Sequence, residues 1–344
     1  MLHVQVVLFD GFDLLDAVAP YEVFCAAEML ADYEMQVEFV SAEGPRLVPS
    51  GGKGVNIEAT GRLNPTRKGI ILVPGASGEL EGDGPNAIPT ILSRAMNTEL
   101  TVKLKHALAL PDLTVATVCG GSLVLAMGGL LDGRPAVTNH LGMELLGATG
   151  AIPVHARVVD DGNLVTGGGV TSGLDVALYL VERELGPQVA HAVERLFEYE
   201  RRGTTWRKSG IPLRAEMAVG VSGVGGARDV TVVDSADAER AAVTVESSFD
   251  GTWDATIATP IGKLAVQLHI STINGLIQGQ AIQGDEVSPF IAPILKGSTL
   301  CWSQRVTKPM RLNLNFEVAV SGDVMTGSAK AGILPASKLT AIRI

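Results

Sequence analysis

The sequence predicts two units: a doubly wound α/β sheet over residues 1–201 and, past a linker at 202–248, a small antiparallel barrel or sandwich over 249–344. Three observations lead there. Short apolar runs such as Gly69-Ile-Ile-Leu-Val-Pro-Gly75 alternate with stretches of helical spacing through the first two hundred residues, the pattern of strands buried on both faces of a parallel sheet. The last hundred residues instead alternate apolar with polar side chains, as in Leu264-Ala-Val-Gln-Leu-His-Ile and Leu312-Asn-Leu-Asn-Phe-Glu-Val. Between them, Gly220-Val-Ser-Gly-Val-Gly-Gly-Ala and the polar residues 234–240 read as a linker. A chain of 344 residues also exceeds one typical domain.

In chain order, Val4 to Phe9 is a strand and Asp10-Gly-Phe-Asp13 a turn. A helix follows to about Asp32, with Pro20 expected in its first turn, where no amide hydrogen is needed. Asp16 is then either the helix cap or a carboxylate at the end of the first strand. Gln36 to Ser41 and Gly69 to Val73 are further strands, and helical spacing between Ile88 and Leu110 breaks near Asn97. Val158 to Thr166 is a hairpin turned by Asp161-Gly-Asn163. Gly167-Gly-Gly169 leads into a helix to about Leu185, and Pro187 starts another to about Arg201. Three glycines before a helix point to close approach of a backbone or ligand. A phosphate loop is the weaker reading, since no Lys-Ser/Thr follows.

The stretch Thr114-Val-Ala-Thr-Val-Cys119-Gly-Gly-Ser-Leu-Val-Leu carries the chemistry. It reads as a buried strand delivering a cysteine into a tight turn before a helix, which is a nucleophile elbow. The helix amides and dipole at such a turn should lower the thiol pKa. A plain core cysteine is the alternative, because free cysteine is often buried.

Charge and cysteine content narrow the classes. Of the net −10, residues from Glu246 onward contribute +1, with 8 Lys and Arg against 7 Asp and Glu, leaving −11 before them. Neither part has a basic stripe with interleaved aromatics, so no nucleic-acid partner is expected. Cys25, Cys119 and Cys301 have no ligand-like spacing, which argues against a metal site or a disulfide framework. No signal-peptide pattern opens the sequence and no run has the length of a membrane span, so a cytoplasmic protein without a membrane partner is expected.

Phe9-Asp-Gly-Phe-Asp-Leu-Leu-Asp16-Ala-Val-Ala-Pro20, Val118-Cys119-Gly-Gly-Ser-Leu and Gly167-Gly-Gly-Val-Thr-Ser-Gly-Leu-Asp175 together resemble the DJ-1/PfpI superfamily of class I glutamine-amidotransferase-like domains. Within it, the chain is similar to isonitrile hydratases and to the amidase-like sensor domains of AraC-type regulators. The terminal strands loosely resemble lipocalin-like domains. The resemblance implies a flavodoxin-like sheet, a homodimer, no cofactor, and a small-molecule substrate attacked by Cys119. It also implies that Asp16 sits beside the thiol to handle protons or water, and that amides of Gly75, Ala76 and Gly120 hold developing negative charge. Two departures bear on the reaction. Isonitrile hydratases carry Thr after the nucleophile, and the peptidase and glyoxalase-like members carry His. This chain has Gly120. A Cys–His dyad then needs another histidine, and His140 lies in the loop where the regulator-type domains place one. Glyoxalase or deglycase chemistry on aldehydes and a non-catalytic sensor are the alternatives to hydration of an isonitrile.

Overall fold

The computed structural model describes residues 1–51, 54–80, 82, 84–211, 247–259, 262–273, 275–307, 311–331 and 336–344. They form two compact units, one α/β and one all-β. Most of the expected linker, residues 212–246, lies outside the described residues.

The α/β unit is organised by an eight-stranded sheet. Its order runs Trp206–Arg207, Val158–Asp160, Leu164–Gly167, Leu113–Val118, Gly69–Val73, Leu2–Leu8, Met35–Ser41, Gly61–Arg62. The central strands are largely apolar and almost wholly buried on both faces, as their sequences require. Leu2–Leu8 pairs in parallel with both Met35–Ser41 and Gly69–Val73, and Leu113–Val118 with both Gly69–Val73 and Leu164–Gly167. Val158–Asp160 turns back antiparallel in the expected hairpin. Helices Leu14–Leu30, Ser172–Leu185 and Pro187–Phe197 pack together on one face. Ile88–Met96, Glu99–Leu108, Gly121–Met127 and Met143–Ala148 pack on the other. This is the doubly wound arrangement, in which functional groups gather at the carboxyl ends of the strands where the order reverses, here between Leu2–Leu8 and Gly69–Val73. Among the described residues, no helix is long and apolar enough to cross a membrane.

Local expectations differ from the structure in two places. The first helix begins at Leu14, capped by Asp13, so Pro20 lies inside it rather than in the first turn. Without an amide hydrogen, Pro20 cannot bond to the carbonyl of Asp16 four residues earlier. Its ring faces the helix Ser172–Leu185 so closely that a Cβ at Gly173 would sit 3.2 Å from Pro20 Cδ. Past residue 201 the α/β sheet gains a further strand: Trp206–Arg207 pairs with Val159 and Asp160, and the Arg207 guanidinium lies 5.0 Å from the Tyr179 ring centroid. Asp175, in the first turn of the helix Ser172–Leu185, is fully buried. It accepts from Arg157 Nε at 2.5 Å, Arg202 N at 2.7 Å and the Tyr199 hydroxyl at 3.1 Å, tying the segment after the last helix to the sheet.

The all-β unit is one nine-stranded antiparallel sheet. Its strands follow one another in sequence, and the first, Gly251–Thr259, pairs with the last, Ser337–Arg343. The run thus curls into a near-barrel whose ladder opens between Glu286–Pro289 and Ile291–Lys296. Alternation puts Trp253, Leu268, Leu300, Phe316, Met325 and Leu339 inside. Trp302 is stacked between Phe290 and Phe316 at centroid distances of 4.2 and 4.7 Å. We expect Trp302→Ala to cost about 3–5 kcal/mol of this unit's stability, as for other buried aromatic truncations. Urea denaturation followed by near-ultraviolet circular dichroism checks this, and an unchanged midpoint would refute it.

Candidate active site

The strand Leu113–Val118 ends on Cys119, whose φ of +54° lies in the left-handed region. A side chain other than glycine rarely stays there, at a cost of about 1–3 kcal/mol, unless its surroundings hold it. Two bonds do so: Cys119 N donates to Gly167 O at 3.0 Å, and Thr138 Oγ1 donates to Cys119 O at 2.8 Å. The helix Gly121–Met127 then leaves at once. The turn is packed against the end of the strand Gly69–Val73 with no room for side chains. A Cβ at Gly121 would lie 2.2 Å from Val73 O, and one at Gly75 would lie 2.6 Å from Gly120 N and 2.7 Å from Asp16 Oδ2. The first glycine of the triple-glycine stretch, Gly167, is likewise closed in by Val176 and Ser172, so the approach there is by protein atoms.

Asp16 comes from the helix that follows Leu2–Leu8, two strands from the elbow strand across Gly69–Val73. Asp13 Oδ1 accepts from Leu15 N at 3.0 Å and Asp16 N at 3.3 Å, so the capping role belongs to Asp13. Asp16 is in the helix, fully buried, and faces the elbow. Its Oδ2 accepts from Gly75 N at 2.9 Å, while Oδ1 is buried with no hydrogen-bond partner. Burial, with the charge of Asp13, pushes its carboxyl up to about 8 against the pull of the Gly75 amide and the Cys119 thiol. The carboxyl therefore keeps its proton at neutral pH.

Cys119 is 8% exposed, and its thiol is pushed up to about 12, first by burial and then by the charge of Asp16. The Gly120 amide and the Asn139 side chain act the other way. This corrects the expectation of a lowered thiol pKa: burial outweighs the helix amides. It also corrects the placing of the loop residues. His140 is exposed, and Asn139 before it is the side chain that hydrogen-bonds the thiol. Of the amides expected to hold negative charge, that of Gly75 is taken by Asp16, and that of Gly120 lies on the thiol. Ala76 is buried in a bridge with Phe12 beside the first-strand loop. Asn139 was missed by sequence reasoning. The available signal was an Asn directly ahead of a short helical stretch, the position of a cap.

Residues 3–183 match the DJ-1/PfpI family. The chain belongs to this family. It is 35% identical over 198 residues to an isonitrile hydratase of Pseudomonas putida, covering 58% of this chain and 78% of that protein. It is 29% identical over 192 residues to the HTH-type transcriptional regulator CdhR of Pseudomonas aeruginosa, covering 55% of this chain but only 53% of the regulator. A THiJ/PfpI family protein from Pseudomonas syringae aligns in structure with a TM-score of 0.49 at 25% identity, over 58% of this chain and 76% of that one.

The raised carboxyl has a consequence for stability. A carboxyl held near 8 in the folded protein and near 3.8 when free binds its proton more tightly in the fold. The stability this contributes is full below pH 4 and is lost as pH rises through about 8. Asp16→Asn keeps an acceptor for Gly75 N and cannot ionise. Its melting temperature should therefore change less between pH 5 and 9 than that of the unsubstituted protein. Parallel melting curves across that range would show that Asp16 ionises as an ordinary carboxyl.

Proposed function

We propose that the protein is a cysteine-dependent hydro-lyase of the isonitrile hydratase type, adding water to an isonitrile to give an N-substituted formamide. The observation that carries this reading is a nucleophile on a strained elbow beside a buried carboxyl that keeps its proton to about pH 8. Cys119 Sγ attacks the terminal carbon of the isonitrile, forming the S–C bond. That carbon takes the proton of Asp16, and the thiol proton replaces it on the carboxyl. The product of this step is a thioimidate, Cys119–S–CH=N–R. Water then adds to the carbon as hydroxyl while Asp16 passes its proton to the nitrogen and takes the other proton of the attacking water in exchange. The S–C bond breaks as the hydroxyl proton returns to sulfur, which releases the formamide and restores both groups. No electrons are gained or lost.

Gly120 offers neither hydroxyl nor imidazole, so in this reading all proton transfer falls to Asp16. Similarity to the Pseudomonas putida hydratase supports the choice of substrate class. The same reading takes the enzyme to be a cytoplasmic homodimer acting on a small molecule, without nucleic-acid or membrane partners. It puts catalysis in the α/β unit, which the strand Trp206–Arg207 extends beyond residue 201, and not in the strands at 249–344.

The test is incubation with an alkyl isonitrile and measurement of formamide. Turnover should vanish in Cys119→Ala and fall by about 10²–10⁴ in Asp16→Ala, the usual size of a general-acid contribution. In the unsubstituted enzyme, kcat/KM should decline above about pH 8 as Asp16 loses its proton. Turnover that survives loss of the thiol would refute the mechanism. Methylglyoxal run in parallel separates this reaction from aldehyde chemistry: turnover of the aldehyde without turnover of the isonitrile would overturn the proposal.

A further inference from the structure

The segment Val137–Asn139 is fastened to the elbow more firmly than a substrate loop needs to be. Ser122 Oγ donates to Val137 O at 2.6 Å, and Ser122 Oγ also shares a bond of 2.6 Å with Thr117 Oγ1 on the elbow strand. Val137 N donates to Thr166 Oγ1 at 3.0 Å. Thr138 Oγ1 reaches the carbonyl of Cys119 itself at 2.8 Å. Every hydroxyl in this set is on a buried residue. Residues 137 and 138 are thus fixed to the elbow helix, to the strand Leu164–Gly167 and to the carbonyl of Cys119, and Asn139 is the next residue.

The orientation of the Asn139 side chain is also fixed. Leu141 N donates to Asn139 Oδ1 at 3.1 Å, capping the turn His140–Gly142. An amide hydrogen can only be accepted by the oxygen, so the cap decides which end of the side chain is which. The nitrogen end is not used by this cap, and the Asn139 side chain hydrogen-bonds the Cys119 thiol. On the other side, Asp16 offers sulfur a carboxyl, which as an anion would oppose a thiolate.

We propose that Asn139 is a catalytic residue: its Nδ2–H donates to Sγ of Cys119 and stabilises the thiolate that attacks the substrate. This rests on the reading of Cys119 as the nucleophile. Asn139 supplies a donor, not a proton. It lowers the cost of placing charge on a buried sulfur while Asp16 keeps the transferable proton. The roles that an acidic or basic neighbour of the cysteine could combine are here divided between a fixed amide and a neutral acid.

Asn139→Ser tests this, because serine also caps a helical turn but is too short to present an amide to the thiol. The readout is the rate of iodoacetamide alkylation of Cys119 at pH 8, resolved by peptide mass spectrometry because Cys25 and Cys301 are partly exposed. Alkylation of Asn139→Ser should be about tenfold slower or more, the weight of a hydrogen bond to a charged group. Asn139→Asp, which puts a negative charge in the same place, should be slower still. A merely structural role gives the opposite sign, since loosening the loop exposes a buried thiol and speeds its alkylation. An unchanged or faster rate in Asn139→Ser, with unchanged circular dichroism, would overturn the assignment. This measurement needs no isonitrile. Slower alkylation in a protein that fails to hydrate isonitriles leaves Asn139 assigned and refutes only the reaction. With an isonitrile as substrate, the same variant should lose kcat with little change in KM.

Discussion

The site depends on how closely the turns after two neighbouring strands approach one another. Gly75 and Gly120 meet backbone to backbone, where a single added Cβ would lie 2.6 Å from the opposing nitrogen. This contact leaves the Gly75 amide facing the helix Leu14–Leu30, where Asp16 Oδ2 accepts it at 2.9 Å. The elbow, the acid and the turn between them are therefore set by one piece of packing among three adjacent parallel strands. Thr138 and Gly167 close the other side by bonding to the carbonyl and amide of Cys119. The strained φ of the nucleophile is held from both directions, so the elbow does not depend on any substrate to stay formed.

The same packing decides the electrostatics. A helix terminus contributes about 0.3–1 kcal/mol at an exposed site, which is less than one pH unit, whereas burial moves a titrating group by up to about 3–5 units. The elbow helix spans only Gly121–Met127, and both Asp16 and Cys119 are buried. Burial wins for both groups; the charge of Asp16 raises the thiol further, while the hydrogen bond with the thiol pulls the carboxyl down. At neutral pH the pair accordingly stores two protons, one on the carboxyl and one on the thiol.

Much of this was legible in the sequence, and the gaps have physical causes. The parallel sheet followed from apolar runs without alternation, and the near-barrel from runs with it. Cys119 stood out because a strand, two glycines and a helix surround it. Asp16 was ambiguous because Asp13 precedes it by one helical turn. Either could have been the cap, and only the observed bonds to Leu15 N and Asp16 N choose Asp13. Placing the cap correctly also moves Pro20 from the first turn to the helix interior. The thiol's direction of shift could not be read locally, since it comes from burial by strands and turns far apart in sequence. His140 and Asn139 differ by one residue along a helical turn, and the hydrogen bond to Leu141 N that orients Asn139 is invisible until the turn is built. Asp175 does lie in the first turn of its helix, but its partners, Arg157, Tyr199 and Arg202, lie 18 to 27 residues away and show only in the fold.

A buried site that holds its acid and its nucleophile both neutral favours some substrates over others. An anionic substrate would enter a space already opposed by the latent charge of Asp16, with Asp13 nearby. A neutral, weakly solvated molecule pays no such penalty. Once it is bound, attack by sulfur and protonation of the attacked carbon can be coupled, so that no full charge need persist in the low-dielectric interior. An isonitrile meets these requirements, because its terminal carbon accepts a nucleophile and then a proton at the same atom. In the proposed hydration, Oδ1 of Asp16 would carry that transfer while Oδ2 remains tied to Gly75.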